Sequence, residues 1–413
     1  MTSHVTIIGA GIVGVNCAIA LAKAGHGVTV IDREDPGDGC SFGNAGILAA
    51  SAFEPLASPD TLLKVPGWLL DPDGPLFIQW RHFPRLLPWL VRYAKDGVFG
   101  DRKTQCDGLH SLMSPSVELY RQLAQEAGAP ELVHQSGGLY AYANHARFIK
   151  DRGGFDARRE RGYSYRQLDG GEIADLEPHL TRKYQWAYLV DDYGWVTNPN
   201  RIVKVLAAYA EKLGATFEKA DVLDMEIGAD GPEALITDQG TRPVDKLLIA
   251  AGAFSHKLSV RFGDPVPLET ERGYHVTIEN PGVMPSMPVM DNEVKAWITP
   301  MEMGLRCAGT VELASLDAPH NERRAQVLLR LAKRMMPEAD ISTYTSWMGR
   351  RPTLPDSLPV IGRATSFDNV FYAFGHQHLG LTGAPATARL IAEIVAGRNP
   401  NQDISAFRVD RFR

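Results

Sequence analysis

An α/β fold, a parallel sheet with flanking helices that a late segment of the chain completes, is predicted by three observations. The chain opens with VTIIGAGIVGVNCAIALAKAGHGVTVID, from Val5 to Asp32: an apolar run, a glycine turn, an Ala- and Leu-rich helix, a second apolar run and an acid. Near the other end, DNVFYAFGHQHLGLTGAPATARLIAEIVAG returns to strand, glycine-rich turn and helix. Between Val266 and Met348 the texture changes to alternating strands and one long helix, which requires a second unit interleaved with the first.

Val5 to Ile8 suits a buried parallel strand, and Gly9, Gly11 and Gly14 follow in GxGxxG spacing. The glycines let the backbone turn tightly and approach a diphosphate, and the N–H groups at the start of the helix, at Ile12 and Val13, face its charge. A second strand, Val28 to Ile31, ends in Asp32, placed to accept a ribose 2′-hydroxyl. That carboxylate would repel a 2′-phosphate, which argues against NADP, although Arg33 beside it weakens the argument. FAD and NAD present the same ADP half to this Rossmann-like unit, and both remain.

The loop CSFGNAGILAAS leads into a Pro-rich, irregular passage to about Pro75. LFIQWRHFPRLLPWLVRY, from Leu76 to Tyr93, reads as a broken helical segment. Its arginines and prolines exclude an ordinary spanning helix, while Trp80, Phe83 and Trp89 offer a peripheral contact with a membrane. Residues 110–127 read as one helix, GGLYAYAN from Gly137 as a turn and strand, and Arg201 to Leu213 as a helix with Pro199 near its start and Gly214 after its end. A strand follows around Val222, then a hairpin through Asp230 and Gly231, then a strand from Lys246 to Ala250. Its small-residue ending, Ala251 and Gly252, allows a second close approach of backbone to a dinucleotide.

The 413 residues suit two units, and a net charge of -6 with scattered basic residues gives no footprint for nucleic acid. The densest basic cluster, Arg323 to Arg334, reads as the solvated face of an amphipathic helix. Cys17, Cys40, Cys106 and Cys307 include no CxxC pair, so neither a metal site nor a disulfide framework is indicated and a reducing cytoplasm fits. The N-terminal apolar run is already used as a strand, and no secretion leader is expected. A dinucleotide unit resumed at the C-terminus favours a flavin over NAD.

Taken in order, the opening glycines with Asp32, the SFGNAG loop from Ser41 to Gly46, the strand at Val222, AAGAFS, GRRPTLPDSLPVIG from Gly349 and GHQHLGLT from Gly375 resemble the D-amino-acid oxidase superfamily. The likeness runs through essentially the whole chain and is greatest to D-amino acid dehydrogenases and glycine oxidase. It implies noncovalent FAD in a discontinuous Rossmann-like domain of the DAO type, about 1–50, 196–262 and 347–413. The rest, 51–195 and 263–346, would form an α+β substrate domain whose antiparallel sheet roofs the flavin.

Carried over by position, the resemblance assigns the diphosphate to Gly9, Gly11 and Gly14, the ribose to Asp32, and the diphosphate and flavin to Ser41, Asn44, Ala45, Gly46 and Ile47. Val222 would meet the adenine, and His376, Gln377, His378, Leu379, Gly380, Leu381 and Thr382 the isoalloxazine. Arg351, of the RP pair, would bind the substrate carboxylate, a role suited to a planar guanidinium that stays charged. Arg350 is the neighbour with which it could be confused. Trp297 stands where relatives carry a tyrosine, and His378 where glycine oxidase-like relatives carry another polar or basic residue.

The chemistry so implied is oxidative deamination of an amino acid, with the D-form expected: hydride passes from Cα to flavin N5 and the imine hydrolyses to a keto acid and ammonia. Positioning would be the main contribution of the protein. Tyr274, Trp297 and His275 would wall the site, and His378 would tune charge near neutral pH. The expected electron acceptor is a quinone or another acceptor in preference to dioxygen. Two alternatives stay open: oxidation of a secondary amine or imino acid such as sarcosine or hydroxyproline, and a carrier on the same fold without redox chemistry.

Overall fold

The computed structural model describes residues 3–71 and 73–413. A six-stranded sheet runs in the order Thr216–Lys219, Gly27–Asp32, His4–Ile8, Lys246–Ile249, Val370–Phe374, Val360–Arg363. All neighbours are parallel except the final pair. Its central strands, His4–Ile8, Lys246–Ile249 and Val370–Phe374, are largely apolar on both faces because both are covered. Val5, Ile7, Val30 and Leu248 pack under the helices Ile12–Lys23, Pro199–Lys212 and Gly380–Val395, while Ile8, Ile31, Leu247 and Tyr372 pack against the three-stranded sheet built from Val222–Gly228, Gly231–Thr237 and Gly240–Pro243.

The stretch read as one helix over 110–127 is two, Arg102–Met113 and Ser116–Ala127, interrupted at Pro115, which has no N–H to continue the ladder, while Ser114 before it keeps helical backbone. Both pack on Gly380–Val395, and the Tyr120 hydroxyl donates to the Leu381 carbonyl at 2.7 Å. Residues 102–133, which the expected division gives to the substrate unit, therefore share the core of the nucleotide unit.

A nine-stranded sheet roofs the cleft, eight strands in the order Tyr344–Thr353, Glu269–Ile278, Gly304–Leu313, Ala296–Met301, Val289–Asp291, Gly138–Tyr142, Trp186–Val190, Tyr165–Asp169 and a ninth, Leu76–Ile78, off this path beside Gly304–Leu313. It is antiparallel apart from the pairing of Val289–Asp291 with Gly138–Tyr142 and of Leu76–Ile78 with Val311–Leu313. The Leu76–Tyr93 segment is thus not helical throughout: Leu76–Ile78 is a strand and Phe83–Phe99 a helix, with Pro84 in its first turn and Pro88 inside it. Helix Glu322–Met335 packs its apolar side on the back of the sheet. Its basic face is not wholly solvated, since Arg324 is buried and donates to the Gly74 carbonyl at 2.6 Å.

One irregularity shapes the roof. Gly273 pairs with Val311 and Tyr274 with Gly309, so Thr310 is squeezed out of the ladder as a bulge, at φ +58°. Glu271, Gly273 and His275 lie on the same face of the sheet as Trp347, Gly349 and Arg351, their partners being directly opposite or next along. Arg272, Tyr274 and Val276 alternate to the other face.

Candidate active site

The two sheets enclose a cleft of about 1900 Å³ that extends from Asp32 past the 375–382 turn to Arg351 and Trp297. At its nucleotide end Gly9 has φ +115°, and a Cβ there would sit 2.4 Å from the Ala250 carbonyl oxygen; a Cβ on Gly14 would lie 1.9 Å from the oxygen of Gly9. Strand and helix meet too closely for any side chain. Ile12 N–H donates to Ser41 Oγ at 2.9 Å, and the Val13 and Gly14 amides find no acceptor among the described residues. Asp32 accepts from Ala10 N–H at 2.7 Å and Glu34 N–H at 3.0 Å, which fixes its carboxylate at the cleft edge. Arg33 lies over the Phe254 ring at 4.1 Å. Val222, Ala251 and Gly252 line the same end, Gly252 with φ +52°.

The 41–47 loop is tied to the roof by its own groups. Asn44 Nδ2 donates to the Ser41 carbonyl and its Oδ1 accepts from Gly46 N–H at 2.8 Å, so this side chain shapes the loop. Arg306 donates to the Asn44 carbonyl at 2.9 Å, Thr299 to that of Ala45 at 3.0 Å, and Thr382 to that of Ile47 at 3.2 Å. Sequence reasoning missed Arg306, a buried arginine in a strand that reads as core.

In the 375–382 turn, Gln377 holds φ +53°, and neither end of its buried amide has a partner. Leu379 precedes the helix that Gly380, Leu381 and Thr382 begin. His376 also borders the cleft, its Nε2 meeting Thr387 Oγ1 at 2.9 Å, and burial lowers its pKa to about 3. His378 faces the cleft, open to solvent there and enclosed elsewhere. The protein around it and then the Arg351 charge lower its pKa to about 4.

At the substrate end, a Cβ on Gly273 would lie 2.2 Å from Arg351 Cζ, so the guanidinium rests on the bare glycine backbone. Among the described residues nothing accepts a hydrogen bond from Arg351, whereas Arg350 Nε is committed to the Leu316 carbonyl at 2.7 Å. Glu271 is buried beside Arg351, and desolvation raises its pKa against the pull of that charge. Trp297 packs edge-on against Tyr140 at 5.3 Å, and the Tyr140 and Tyr193 hydroxyls are 2.9 Å apart.

Two expected wall residues differ. Tyr274 borders the cleft, but its hydroxyl is donated to Glu312, which also pairs with the buried Arg272 at 3.2 Å on the far face. His275 supports the loop, donating from Nδ1 to the Gly43 carbonyl at 2.6 Å and stacking on Trp347 at 5.2 Å; burial lowers its pKa to about 3. Trp347, which has no distinguishing signal in the sequence, fills the gap left by two glycines: a Cβ on Gly43 or Gly349 would lie 2.2 or 2.1 Å from its ring.

Open helix amides, crowded glycines, a fixed acid and an unpartnered amide further along one cleft fit a flavin dinucleotide. The family described as FAD dependent oxidoreductase, DAO, matches residues 4–394. The chain belongs to the DAO family. Within it, this DAO member is similar to a D-amino-acid oxidase of Bradyrhizobium diazoefficiens, at 39% identity over 99% of each chain. It is also similar to a D-amino acid dehydrogenase of Paramagnetospirillum magneticum, at 31% identity over 99% of this chain and 98% of that one. Among solved structures, glycine oxidase from Geobacillus kaustophilus has the same fold, with a TM-score of 0.75 at 22% identity over 99% of both chains. Iminodiacetate oxidase from Chelativorans sp. BNC1 gives 0.74 at 21% over 98% of both. The cofactor of this DAO member is FAD, which when bound supplies the two-electron acceptor that the side chains of the cleft lack.

Proposed function

We propose that this DAO member oxidises the Cα–N bond of a D-amino acid, yielding an imino acid that water hydrolyses to a 2-keto acid and ammonia. The observation that carries the reading is Arg351, a guanidinium in the cleft with no protein acceptor, resting on Gly273. It would take the carboxylate in a two-bond fork and so fix which hydrogen of Cα is presented. Trp297 and Tyr140 would bound the side chain, and His378 would contribute shape and a hydrogen bond. The D-configuration is supported by the names of the two curated relatives.

The reading is tested by comparing D-alanine with ethylamine, which lacks the carboxylate. D-alanine should turn over and ethylamine should fall at least 100-fold short in kcat/KM, a difference of about 2.7 kcal/mol. Equal turnover would remove Arg351 from substrate binding.

The acceptor proposed is apolar, a quinone in preference to dioxygen, because helices Pro59–Leu70 and Phe83–Phe99 line the cleft mouth with Leu62, Val65, Trp68, Phe83 and Leu90. Reoxidation of the reduced enzyme by a quinone analogue should outpace air; air at the turnover rate would make it an oxidase. All four cysteines are free, which supports work in the reducing cytoplasm.

A further inference from the structure

Helices Pro59–Leu70 and Phe83–Phe99 are apolar on two sides. Their inner sides line the cleft, and Leu86 and Trp89 of the second pack on strand Leu76–Ile78. Their outer sides, with Trp80 in the turn before the second helix, carry most of the large hydrophobic side chains that the described surface exposes: Leu63 at 81%, Leu70, Leu87, Val91, Val98 and Phe99. On the second helix Leu87, Val91 and Val98 follow the helical period, together with exposed Pro84 and Pro88, so they form one stripe.

A face needed only for solubility would not be built this way. The charges of the second helix and its approach are one-sided, while on the first helix exposed Asp60 is paired with Lys150 at 3.6 Å and Asp71 is exposed at its end. Arg81, Arg85, Arg92 and Lys95 are exposed around the stripe, and the single acid of the second helix, Asp96, is half-buried with its pKa raised by burial. A second copy of the chain docked on this face about a two-fold axis would bring Arg85 and Arg92 toward their own kind, a like-charge contact. An anionic lipid surface meets both features: headgroups take the arginines and the acyl boundary takes the apolar stripe. No helix among the described residues is long and apolar enough to cross a membrane, so the contact would lie along the surface.

We infer that the outer face of these two helices docks on an anionic bilayer, setting the cleft mouth at the lipid boundary where an apolar acceptor is dissolved. The second half of this inference rests on the proposed function; the docking itself does not. The FAD-loaded enzyme is to be sedimented with vesicles of pure phosphatidylcholine and of phosphatidylcholine with 30% phosphatidylglycerol, about the charge density that polybasic segments respond to. Binding is expected only to the second, reduced at least fivefold by R85E/R92E and by L87S/V91S, with dye-linked turnover and the flavin spectrum unchanged in both variants. A fluorescence shift on binding that is lost in W80F supports the same face.

Failure of the native enzyme to bind phosphatidylglycerol vesicles, or binding unaffected by either double variant, overturns the inference. So does a concentration-dependent dimer in light scattering that both variants dissociate, which would make the face a protein interface. Vesicle binding by an enzyme that turns over no amino acid leaves the docking standing and removes the function.

Discussion

A Cβ on Gly273 would lie 2.2 Å from the guanidinium carbon of Arg351, so the residue that would grip the substrate is seated on a position where no side chain fits. The bulge at Thr310 interrupts the neighbouring strand's ladder immediately beside this seat. Gly273→Ala should push the guanidinium aside and lower kcat/KM on the order of 100-fold, mostly through KM, with FAD still bound. Steady-state kinetics beside the flavin spectrum checks this; an unchanged KM would mean that Arg351 does not meet the substrate from this seat.

Removing the guanidinium itself should cost roughly 2–5 kcal/mol of substrate binding, and Arg351→Lys should recover only part, because a point charge cannot form two parallel bonds. Arg350→Ala should have a smaller effect, since its Nε is held by the Leu316 carbonyl. A crippled Arg350→Ala enzyme beside a normal Arg351→Ala enzyme would show that the wrong arginine has been assigned.

At the other end of the cleft, Gly14→Ala should abolish FAD retention, because its Cβ would fall 1.9 Å from the Gly9 carbonyl oxygen and pry strand from helix. Asp32→Ala should loosen FAD more mildly, freeing the Ala10 and Glu34 amides that the carboxylate now holds. Flavin released on gel filtration measures both.

Much of this site is legible in the sequence because it is local. The GxGxxG turn and Asp32 lie within 28 residues of each other, and the RP pair is read from its own context. What sequence reasoning missed depends on distant pairing. Leu76–Ile78 is a strand only because Val311–Leu313 lies beside it, and three residues carry no period. Tyr274 and His275 are both expected to wall the substrate site, yet they alternate in one strand, so one faces Glu312 and the other the Gly43 loop. Gln377 adopts a left-handed conformation at a position with no glycine to announce it.

Tyr274 belongs to a buried ionic cluster. Arg272 and Glu312 are almost fully buried, and Tyr274 shares the same carboxylate. Glu312→Ala should destabilise the fold by about 3–5 kcal/mol by leaving Arg272 uncompensated. Tyr274→Phe should lower Tm while leaving KM for the amino acid near its original value. A KM that rises as steeply as in Arg351→Ala would return Tyr274 to the substrate wall.

Acid should weaken the fold through its buried imidazoles. His275 and His376 have pKa values lowered to about 3, below the ordinary value near 6.5, so the unfolded chain binds more protons between those limits. Their contribution to stability is therefore complete above about pH 6.5 and lost as pH falls toward 3, at about 1.4 kcal/mol per pH unit for each. His376→Asn should flatten the decline of Tm between pH 6 and 4. An identical slope would assign the acid sensitivity to other groups.

The central claim, that this cleft oxidises D-amino acids, is tested most directly by mixing the yellow enzyme anaerobically with D-, L- and N-substituted amino acids and following the flavin band. Bleaching by D-amino acids, absent with their L-enantiomers and abolished in Arg351→Ala, is the result expected. Bleaching by N-substituted or L-amino acids while D-amino acids leave the band untouched would contradict it.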